Sequence, residues 1–445
     1  MSNIRILRIF ILTLVITGIA APTFAQGLPQ TTPEEVGLSQ ERLDRIDKAI
    51  REDVENNELR GALAMVARKG KLAYITYHGM ADTEKDIPMA EDTIFRIYSM
   101  TKPITSVAVM MLFEEGHFFL DDPVSKFIPE LGGLRVIDED AENPGGGVFN
   151  LPDEIEEVSK ARKVKVIPAN TVPSNRDMTI RDLLRHTSGL TYGFFGNTKV
   201  DQMYQQNGVL ITDMNLEDMV RKLGNFPLLF QPGEQWHYSL SVDVLGRLVE
   251  VVSGQSFDEF LQDRIFAPLD MVDTGFYVPK EKMNRFANLY APAKDGEGIV
   301  PANPMMSFNF IAKPRLFSGG GGLVSTGADY LRFCQMMLNG GQLDGERLLS
   351  RKTVELMTVN HCLDADLPMA KSGYGFGLGF AVAENRGRSA SLATEGEYNW
   401  GGAAGTRFWI DPEEEFIGIY MVQILPHIYT FGSEFKQLAY QAISD

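Results

Sequence analysis

The sequence predicts a mixed α/β fold in which β-rich segments from both ends of the chain enclose a largely helical middle. Three observations support this prediction. An alternating apolar run covers 61–80, helical periodicity dominates 180–265, and strand-like runs return at 375–382, 402–410 and 416–423. We therefore expect the middle of the chain to form an inserted helical domain that supplies one wall of a cleft.

The predicted domain boundaries follow from this pattern. Residues 26–120 and 266–445 are expected to form the α/β domain, and residues 121–265 the inserted helical domain. Inside the insertion, residues 135–177 have no clear periodicity, which is typical of a surface loop or a lid. We expect this loop to shape the mouth of the cleft, because it joins the helix that precedes it to the helical domain.

Each element has its own local signal. The first helix, 39–57, is indicated by apolar residues three and four positions apart, and the alternating run after it predicts a β-hairpin that turns at Lys69 and Gly70. Periodic apolar positions predict the later helices, one of them capped by Thr326 with Asp329. In chain order these helices are 180–190, 216–223, 242–252, 257–265, 326–339 and 433–443.

Residues 1–25 have the features of a secretory signal peptide. Two arginines precede an apolar run, and small residues at positions 23 and 25 fit the site that a signal peptidase cleaves. No later apolar run approaches the roughly 20 residues needed to span a bilayer. We therefore expect an exported protein, most simply a periplasmic one, without a membrane span.

Charge and composition exclude several classes of function. The formal net charge is −17, and loss of the two signal arginines would make it −19, so we do not expect nucleic-acid binding. The six histidines have no metal-ligand spacing, so no metal site is expected. Of the two cysteines, Cys334 lies in an apolar helix and is interpreted as a buried thiol, in preference to a disulfide with Cys362.

The strongest chemical signal is the Ser-x-x-Lys spacing of Ser99 and Lys102, followed at once by Pro103. Because proline is tolerated only in the first turn of a helix, this helix must begin close to Ser99. Its hydroxyl and the lysine amine can then meet, and the positive end of the helix dipole would stabilise an oxyanion. This is the arrangement expected of a serine nucleophile with a lysine partner. A second copy, at Ser433 and Lys436, is interpreted as a helix N-cap.

Two further segments could complete a site. Tyr238 lies in a turn leading into a helix, where its hydroxyl could point into a cleft; the alternative is an ordinary amphipathic tyrosine. Glycines within 399–406 would allow close backbone approach to a ligand, and N–H groups there could bind an oxyanion; the alternative is a glycine-rich edge. The glycines of 319–322 lack the sequence of a phosphate loop and are expected to pack against the same cleft. His186 is interpreted as a structural residue.

In this order, the Ser-x-x-Lys, Tyr-Ser-x and Trp-Gly-Gly motifs resemble those of the serine hydrolases of the class C β-lactamase fold. The resemblance is closest to their esterase branch, the family VIII carboxylesterases. It extends over nearly all of the chain beyond the signal segment and includes the runs 181–190, 230–234 and 321–326. It implies a β-lactamase/transpeptidase-like fold, with an antiparallel sheet flanked by helices and an inserted, mostly helical domain.

The resemblance also implies the roles of individual residues. Ser99 would be the nucleophile that carries the acyl group, and Lys102 and Tyr238 would act together as general base. The backbone N–H groups of Ser99 and Ala403 would form the oxyanion hole. The residues implied to bind substrate are Trp400, Gly401 and Gly402. This chemistry would need neither a metal nor a cofactor.

Two departures from the class C β-lactamase pattern predict the substrate. Leu240 stands at the third position of the Tyr-x-Asn motif, and Trp-Gly-Gly at 400–402 replaces Lys-Thr-Gly. Loss of an amide and of a cationic partner for a carboxylate favours small uncharged carboxylic esters over β-lactams and D-Ala-D-Ala peptides.

Several alternatives stay open at this stage. One is a β-lactamase, a D-amino-acid peptidase or an amide hydrolase that uses the same residues. The others are transesterification by an alcohol and a non-catalytic penicillin-binding-like protein. A nucleophile-elbow esterase is not expected, because no Gly-x-Ser-x-Gly occurs. The motifs leave the acyl-chain length and the oligomeric state undetermined.

Overall fold

The computed structural model describes residues 27–138, 170–209, 213–293, 298–303, 309–427 and 429–445. The predicted signal segment 1–25 and the centre of the predicted loop lie outside these ranges. The strands are β1 (Gly61–Arg68), β2 (Lys71–Asp82), β3 (Ile87–Pro88), β4 (Phe95–Arg96), β5 (Arg135–Ile137), β6 (Thr171–Pro173), β7 (Tyr290–Pro292), β8 (Ile299–Pro301), β9 (Val324–Ser325), β10 (Gln342–Leu343), β11 (Glu346–Arg347), β12 (Tyr374–Phe376), β13 (Ala381–Ala383), β14 (Tyr398–Gly401), β15 (Arg407–Asp411) and β16 (Phe416–Val422).

An antiparallel sheet of eight strands, in the order β12-β13-β14-β15-β16-β1-β2-β3, joins the two ends of the chain. Strand β1 pairs on one side with β2 and on the other with β16, where Ala62 lies opposite Val422. Every residue of β1 is buried, as expected for a central strand of a sheet covered on both faces. The predicted closure of one α/β sheet by both ends of the chain is confirmed.

The helices are α1 (Gln40–Glu55), α2 (Thr101–Glu114), α3 (Ile180–Leu184), α4 (Lys199–Asn207), α5 (Leu216–Leu223), α6 (Ser241–Ser253), α7 (Phe257–Leu261), α8 (Gly327–Leu338), α9 (Arg351–Met357), α10 (Arg386–Ser389) and α11 (Phe431–Tyr440). Successive side chains of β15 enter different cores: Phe408 packs in the core that contains α2 and α8, and Trp409 packs in the core that contains α1 and α11. The sheet therefore separates two helical layers, and the predicted fold class is confirmed.

Two predicted turns have the expected geometry. At the hairpin between β1 and β2, Lys69 and Gly70 both have positive φ, 53° and 78°, as a two-residue turn of this hand requires. At the start of α8, the Thr326 hydroxyl accepts a hydrogen bond from the Asp329 N–H, so the predicted cap is present.

The helix predicted at 180–190 is too long: α3 ends at Leu184. His186 adopts a left-handed backbone with φ 58°, and the residues after it hydrogen-bond to another segment, with Leu229 donating to the carbonyl of Gly189. The sequence analysis missed α4, although Thr198 and Asp201 form a capping box at its start.

Two predicted strands are each interrupted by a glycine turn. The run 375–382 is two strands, β12 and β13, reversed through a turn where Gly379 has φ 98°. The run 402–410 begins with a turn, and its strand, β15, starts only at Arg407. In both places, glycines allow the chain to reverse within a segment whose apolar pattern resembles one strand.

The prediction that Ser433 is an N-cap is wrong. Helix α11 begins at Phe431 with Thr430 in the cap position, and the Ser433 hydroxyl accepts a hydrogen bond from Arg407 at 3.4 Å. Lys436 forms an ion pair with the buried Glu397. This copy of the Ser-x-x-Lys spacing is therefore held by contacts with the sheet.

Cys334 and Cys362 are both buried free thiols, as expected for Cys334, and burial raises the pKa of each.

The described parts of the loop 135–177 include β5 and β6, which pair with each other and close its base. The division at 121–265 stays a prediction, and helices α3 to α7 contribute to the same core as α2. Within the described ranges, no helix is both long and apolar enough to cross a bilayer.

Candidate active site

Ser99 lies immediately before α2, in a single 3₁₀ turn formed by Tyr98–Met100. The structure places Pro103 in the first turn of α2, as the sequence predicted, and every residue from Thr101 to Leu112 is buried. Tyr98 has φ 41°, a strained conformation for a residue with a side chain, and it immediately precedes Ser99. Ser99 is only partly buried and lines a large cavity.

Lys102 is almost fully buried beneath Ser99, with 1% of its surface exposed. Its Nζ lies within hydrogen-bond distance of the Ser99 Oγ, at 3.2 Å, and donates to the carbonyl of Gly320 at 2.6 Å. The Thr105 hydroxyl of α2 donates to the neighbouring carbonyl of Gly319 at 2.9 Å. The prediction that the glycine loop 319–322 packs against the site is therefore confirmed.

Tyr238 lies beside Lys102. The lysine Nζ is 4.4 Å from the centroid of the Tyr238 ring, and the Tyr238 hydroxyl accepts a hydrogen bond from Trp400 Nε1 at 3.3 Å. Trp236 stacks on the same ring, with centroids 6.0 Å apart and ring planes 15° from parallel. The structure thus brings together Ser99, Lys102, Tyr238 and Trp400, from three distant parts of the chain.

His186 is buried behind Tyr238, and their ring centroids are 4.9 Å apart. Burial lowers the pKa of His186 well below its usual value. Its Nδ1 lies 3.3 Å from the Ser239 Oγ. A neutral imidazole in these contacts packs the wall that holds Tyr238, in agreement with the structural role predicted for it.

Strand β14 brings its end against the segment that carries Ser99. A Cβ atom added to Gly402 would lie 2.5 Å from the carbonyl oxygen of Ile97, so only glycine allows this approach. The sequence analysis predicted a close backbone approach to a ligand here. At Gly402 the close neighbour is instead the backbone of Ile97. Ala403, one residue further, is exposed and lines the cavity beside Ser99.

The cavity has a volume of about 1290 Å³ and is continuous from Ser99 to the N-terminal turn of α11. The exposed Phe195 lines its mouth, with its ring centroid 5.9 Å from that of Tyr238, and the exposed Phe194 packs against Phe195 with ring centroids 4.5 Å apart. The predicted site residues that line the cavity are Ser99, Tyr238, Trp400, Gly401, Gly402 and Ala403.

The sequence analysis missed two polar residues beside Lys102. Asp243, on α6, is fully buried and accepts a hydrogen bond from the N–H of Gly320 at 3.1 Å; burial raises its pKa. Tyr192 faces Lys102, with Nζ 5.3 Å from its ring centroid, and burial raises its pKa well above the usual value. An aspartate within the apolar run of α6 was the available signal for the first of them.

Leu240, at the third motif position, is buried in the apolar core, so no amide side chain stands there. Among the residues that the structure describes, no group of three or more His, Cys, Asp or Glu side chains is arranged to hold a metal ion. The polar groups around Ser99 and Lys102 include an amine, two phenols, a carboxylate and backbone amides.

The fold and this arrangement define a class of protein: a β-lactamase/transpeptidase-like fold with a serine and a lysine at the start of a buried helix and a tyrosine beside them. Comparison with protein families gives the same result. The model of the Beta-lactamase family matches residues 46–439, so the chain belongs to this family.

Two relatives match most of this chain, and the one named as an esterase supports the predicted esterase branch. Esterase EstB of Burkholderia gladioli is 31% identical over 387 residues, covering 83% of this chain and 86% of that protein. Protein Rv1367c of Mycobacterium tuberculosis is 33% identical over 395 residues, covering 87% and 91%. The resemblance to β-lactamase-fold hydrolases that include esterases is therefore confirmed.

Solved structures show the same fold. EstCE1, described as a hydrolase with promiscuous acyltransferase activity, superposes with a TM-score of 0.71 at 24% identity and covers 90% of this chain and 99% of its own. Simvastatin synthase (LovD) from Aspergillus terreus has a TM-score of 0.72 at 21% identity, covering 90% and 98%.

Proposed function

We propose that this protein is a serine esterase that cleaves small carboxylic esters through an acyl-enzyme on Ser99. The observation that carries the proposal is the 3.2 Å contact between the Lys102 Nζ and the Ser99 Oγ at the base of a large open cavity. A serine becomes a useful nucleophile only when a base lies within reach of its proton. Lys102 is the base in direct contact with it, and EstB is a relative named as an esterase.

In the proposed acylation step, the Ser99 O–H bond breaks and its proton passes to the pair formed by Lys102 and Tyr238. The serine oxygen forms a bond to the ester carbonyl carbon, and the π electron pair moves onto the carbonyl oxygen. The N–H groups of Ser99 and Ala403 stabilise that oxyanion; one such donor typically contributes about 3 kcal/mol. Collapse of the intermediate expels the alcohol, which receives a proton from Tyr238.

Deacylation reverses these roles. Water gives a proton to the same base pair and attacks the acyl carbon, and the Ser99 oxygen leaves with a proton. Trp400 supports this step by donating to the Tyr238 hydroxyl, which holds the phenol in place between the strand and Lys102. Apart from the ester and the water, every group in these steps belongs to this chain.

The observation that favours esters over β-lactams is the apolar residue, Leu240, at the third position of the Tyr-x-Asn motif. Leu240 is buried, and Trp400 occupies the position where the class C pattern has a lysine. A substrate carboxylate would lack its usual cationic partner there. The cavity also has room for an alcohol beside the acyl group, which supports acyl transfer to an alcohol as a second candidate activity.

The test uses the chain without residues 1–25. Hydrolysis of p-nitrophenyl acetate, butyrate and octanoate is measured beside that of nitrocefin, for wild type and Ser99→Ala. We expect ester turnover that the substitution abolishes, and negligible nitrocefin turnover. Ester turnover that survives Ser99→Ala would refute the assignment, and dominant nitrocefin turnover would establish the β-lactamase alternative.

Product analysis with an added alcohol tests the second activity in the same experiment, because a new ester appears only if the alcohol replaces water. We also propose that residues 1–25 direct export and are removed, so that the enzyme acts in the periplasm. The N-terminal sequence of protein recovered from that compartment tests this; an intact N-terminus on the recovered protein would contradict it.

A further inference from the structure

Asp243 is a buried carboxylate that the proposed mechanism does not use. It lies on α6 with no exposed surface. Its Oδ1 accepts two hydrogen bonds, from the Ser318 hydroxyl at 2.5 Å and from the Gly320 N–H at 3.1 Å. Its Oδ2 is also buried and has no hydrogen-bond partner within the described ranges. Burying a carboxylate is costly unless it is well paired, so its presence in an apolar helix requires an explanation.

The peptide of Gly320 connects Asp243 with Lys102. Its N–H donates to Asp243, and its carbonyl accepts from the Lys102 Nζ at 2.6 Å. There is no space for this loop to move toward α6, because a Cβ on Gly320 would lie 2.4 Å from the Asp243 Oδ2 and 2.8 Å from the Tyr192 hydroxyl. The loop is held from the other side as well, where Thr105 donates to Gly319.

The contact with Gly320 determines which way the lysine amine faces. The proposed mechanism requires the Lys102 amine in its neutral form, which has two hydrogens and one lone pair. When the Gly320 carbonyl takes one hydrogen, the remaining hydrogen and the lone pair are directed toward the other groups around Nζ. These are the Ser99 Oγ at 3.2 Å and the rings of Tyr238 and Tyr192, with centroids at 4.4 and 5.3 Å. Of these three, the serine is the one whose hydroxyl lies within a stated hydrogen-bond distance of Nζ.

We propose that Asp243 is a positioning residue for the acylation of Ser99. By holding Ser318 and Gly320 through one carboxylate oxygen, it keeps the Gly320 carbonyl against Lys102 and so keeps the amine lone pair aimed at the Ser99 hydroxyl. The inference rests on the proposed function, because it requires Lys102 to accept the proton of Ser99. Asp243 does not line the cavity, so its effect is on the chemical step and not on substrate binding.

Two substitutions at Asp243 distinguish the contribution of its acceptor oxygen from that of the rest of the side chain. Asp243→Ala removes the acceptor for both Ser318 and Gly320. A misplacement of about 1 Å at a catalytic group can reduce the rate about 100-fold, so we expect kcat for p-nitrophenyl butyrate to fall about 30- to 100-fold with KM within about 3-fold of wild type. Asp243→Asn keeps an acceptor oxygen for both donors, and we expect its kcat to stay within about 5-fold of wild type.

The matched control is Asp329, another buried carboxylate whose oxygen accepts two hydrogen bonds, from the Asp273 N–H and the Thr274 hydroxyl, both at 2.8 Å. It lies in the first turn of α8, after the cap residue Thr326, and does not contact Lys102. We expect Asp329→Ala to lower the melting temperature with little change in kcat per folded molecule. A general loss of stability would lower both quantities in the two aspartate variants alike.

Ser318→Ala covers the case in which Asp243→Ala does not fold, because it removes only one of the two donors. We expect its kcat to fall about 3- to 10-fold, with a matching fall in the rate at which a fluorophosphonate labels the folded protein. The proposal is overturned if either Asp243→Ala or Ser318→Ala keeps wild-type kcat, or if Asp243→Asn loses as much as Asp243→Ala. Activity that survives Ser99→Ala would instead refute the proposed function, so the two failures are distinguishable.

Discussion

At Gly402 the end of strand β14 meets the segment that carries Ser99. Replacing Gly402 with alanine tests how strongly kcat depends on this close contact. The added Cβ would lie 2.2 Å from the Thr406 Oγ1 and 2.5 Å from the carbonyl oxygen of Ile97. The threonine hydroxyl can rotate away. The carbonyl cannot, because it accepts a hydrogen bond from the N–H of Met100 at 3.0 Å in the turn around Ser99.

Relief of the clash therefore requires the strand to move. Extending the contact from 2.5 Å to an ordinary carbon–oxygen separation of 3.4 Å needs a shift of about 0.9 Å. That shift widens the gap between the N–H groups of Ser99 and Ala403, which the proposed oxyanion hole brings together. A misplacement of about 1 Å costs roughly 100-fold in rate, and the loss of one oxyanion donor costs about 3 kcal/mol, which is a similar factor. We expect Gly402→Ala to lower kcat about 100-fold.

The assay is steady-state hydrolysis of p-nitrophenyl butyrate, with thermal unfolding to confirm that each variant is folded. Gly275→Ala is the matched control, because Gly275 does not line the cavity and its Cβ would lie 3.8 Å from the Tyr277 carbonyl oxygen, an ordinary contact. We expect the control to keep kcat within about 5-fold of wild type. Equal kcat values for the two folded variants would refute the argument that the approach of Gly402 to Ile97 sets the geometry.

Two other predictions follow from the cavity mouth and from a buried carboxylate. Phe195→Ala should raise KM for p-nitrophenyl octanoate about 5-fold and leave KM for p-nitrophenyl acetate unchanged, because a long acyl chain loses an aromatic contact worth about 1 kcal/mol. The control is Phe119→Ala, because Phe119 is exposed but does not line the cavity. An equal effect of Phe195→Ala on both esters would contradict a contact between Phe195 and the acyl chain. Burial raises the pKa of Asp329 to about 7, so the folded protein keeps a proton there that the unfolded chain releases near pH 4. The free energy of unfolding of wild type, relative to that of Asp329→Asn, should therefore fall as pH rises from about 4 to about 7. The fall is at most about 1.4 kcal/mol per pH unit. Chemical denaturation across this range measures the difference, and a flat difference would show that Asp329 is ionised throughout.

Much of the fold could be predicted because its signals are local. The hairpin turn at Lys69 and Gly70, the amphipathic face of α1 and the cap at Thr326 each depend on residues a few positions apart. The start of α2 was predictable for the same reason, since Pro103 is compatible only with the first helical turn. One error fell where a tertiary contact overrides the local pattern, at His186, whose left-handed backbone follows the early end of α3.

The candidate site divides in the same way. Ser99 and Lys102 are three residues apart on one helix, so their proximity follows from the spacing alone. The placement of Tyr238 beside Lys102 and of Trp400 beside Tyr238 requires the packing of segments more than a hundred residues apart. The resemblance to a family indicated those partners, but no local rule could.

By itself, the sequence determined the class of this protein, an α/β fold built around a Ser-x-x-Lys helix, because helical spacing and apolar periodicity act over short distances. Tertiary structure alone decided that Asp243 and Gly320 meet beneath Lys102, that Gly402 touches Ile97, and that Ser433 is a sheet contact instead of a cap. These are contacts between segments distant in the chain. They depend on how three-dimensional packing positions whole helices and strands, and no pattern of neighbouring residues encodes that packing directly.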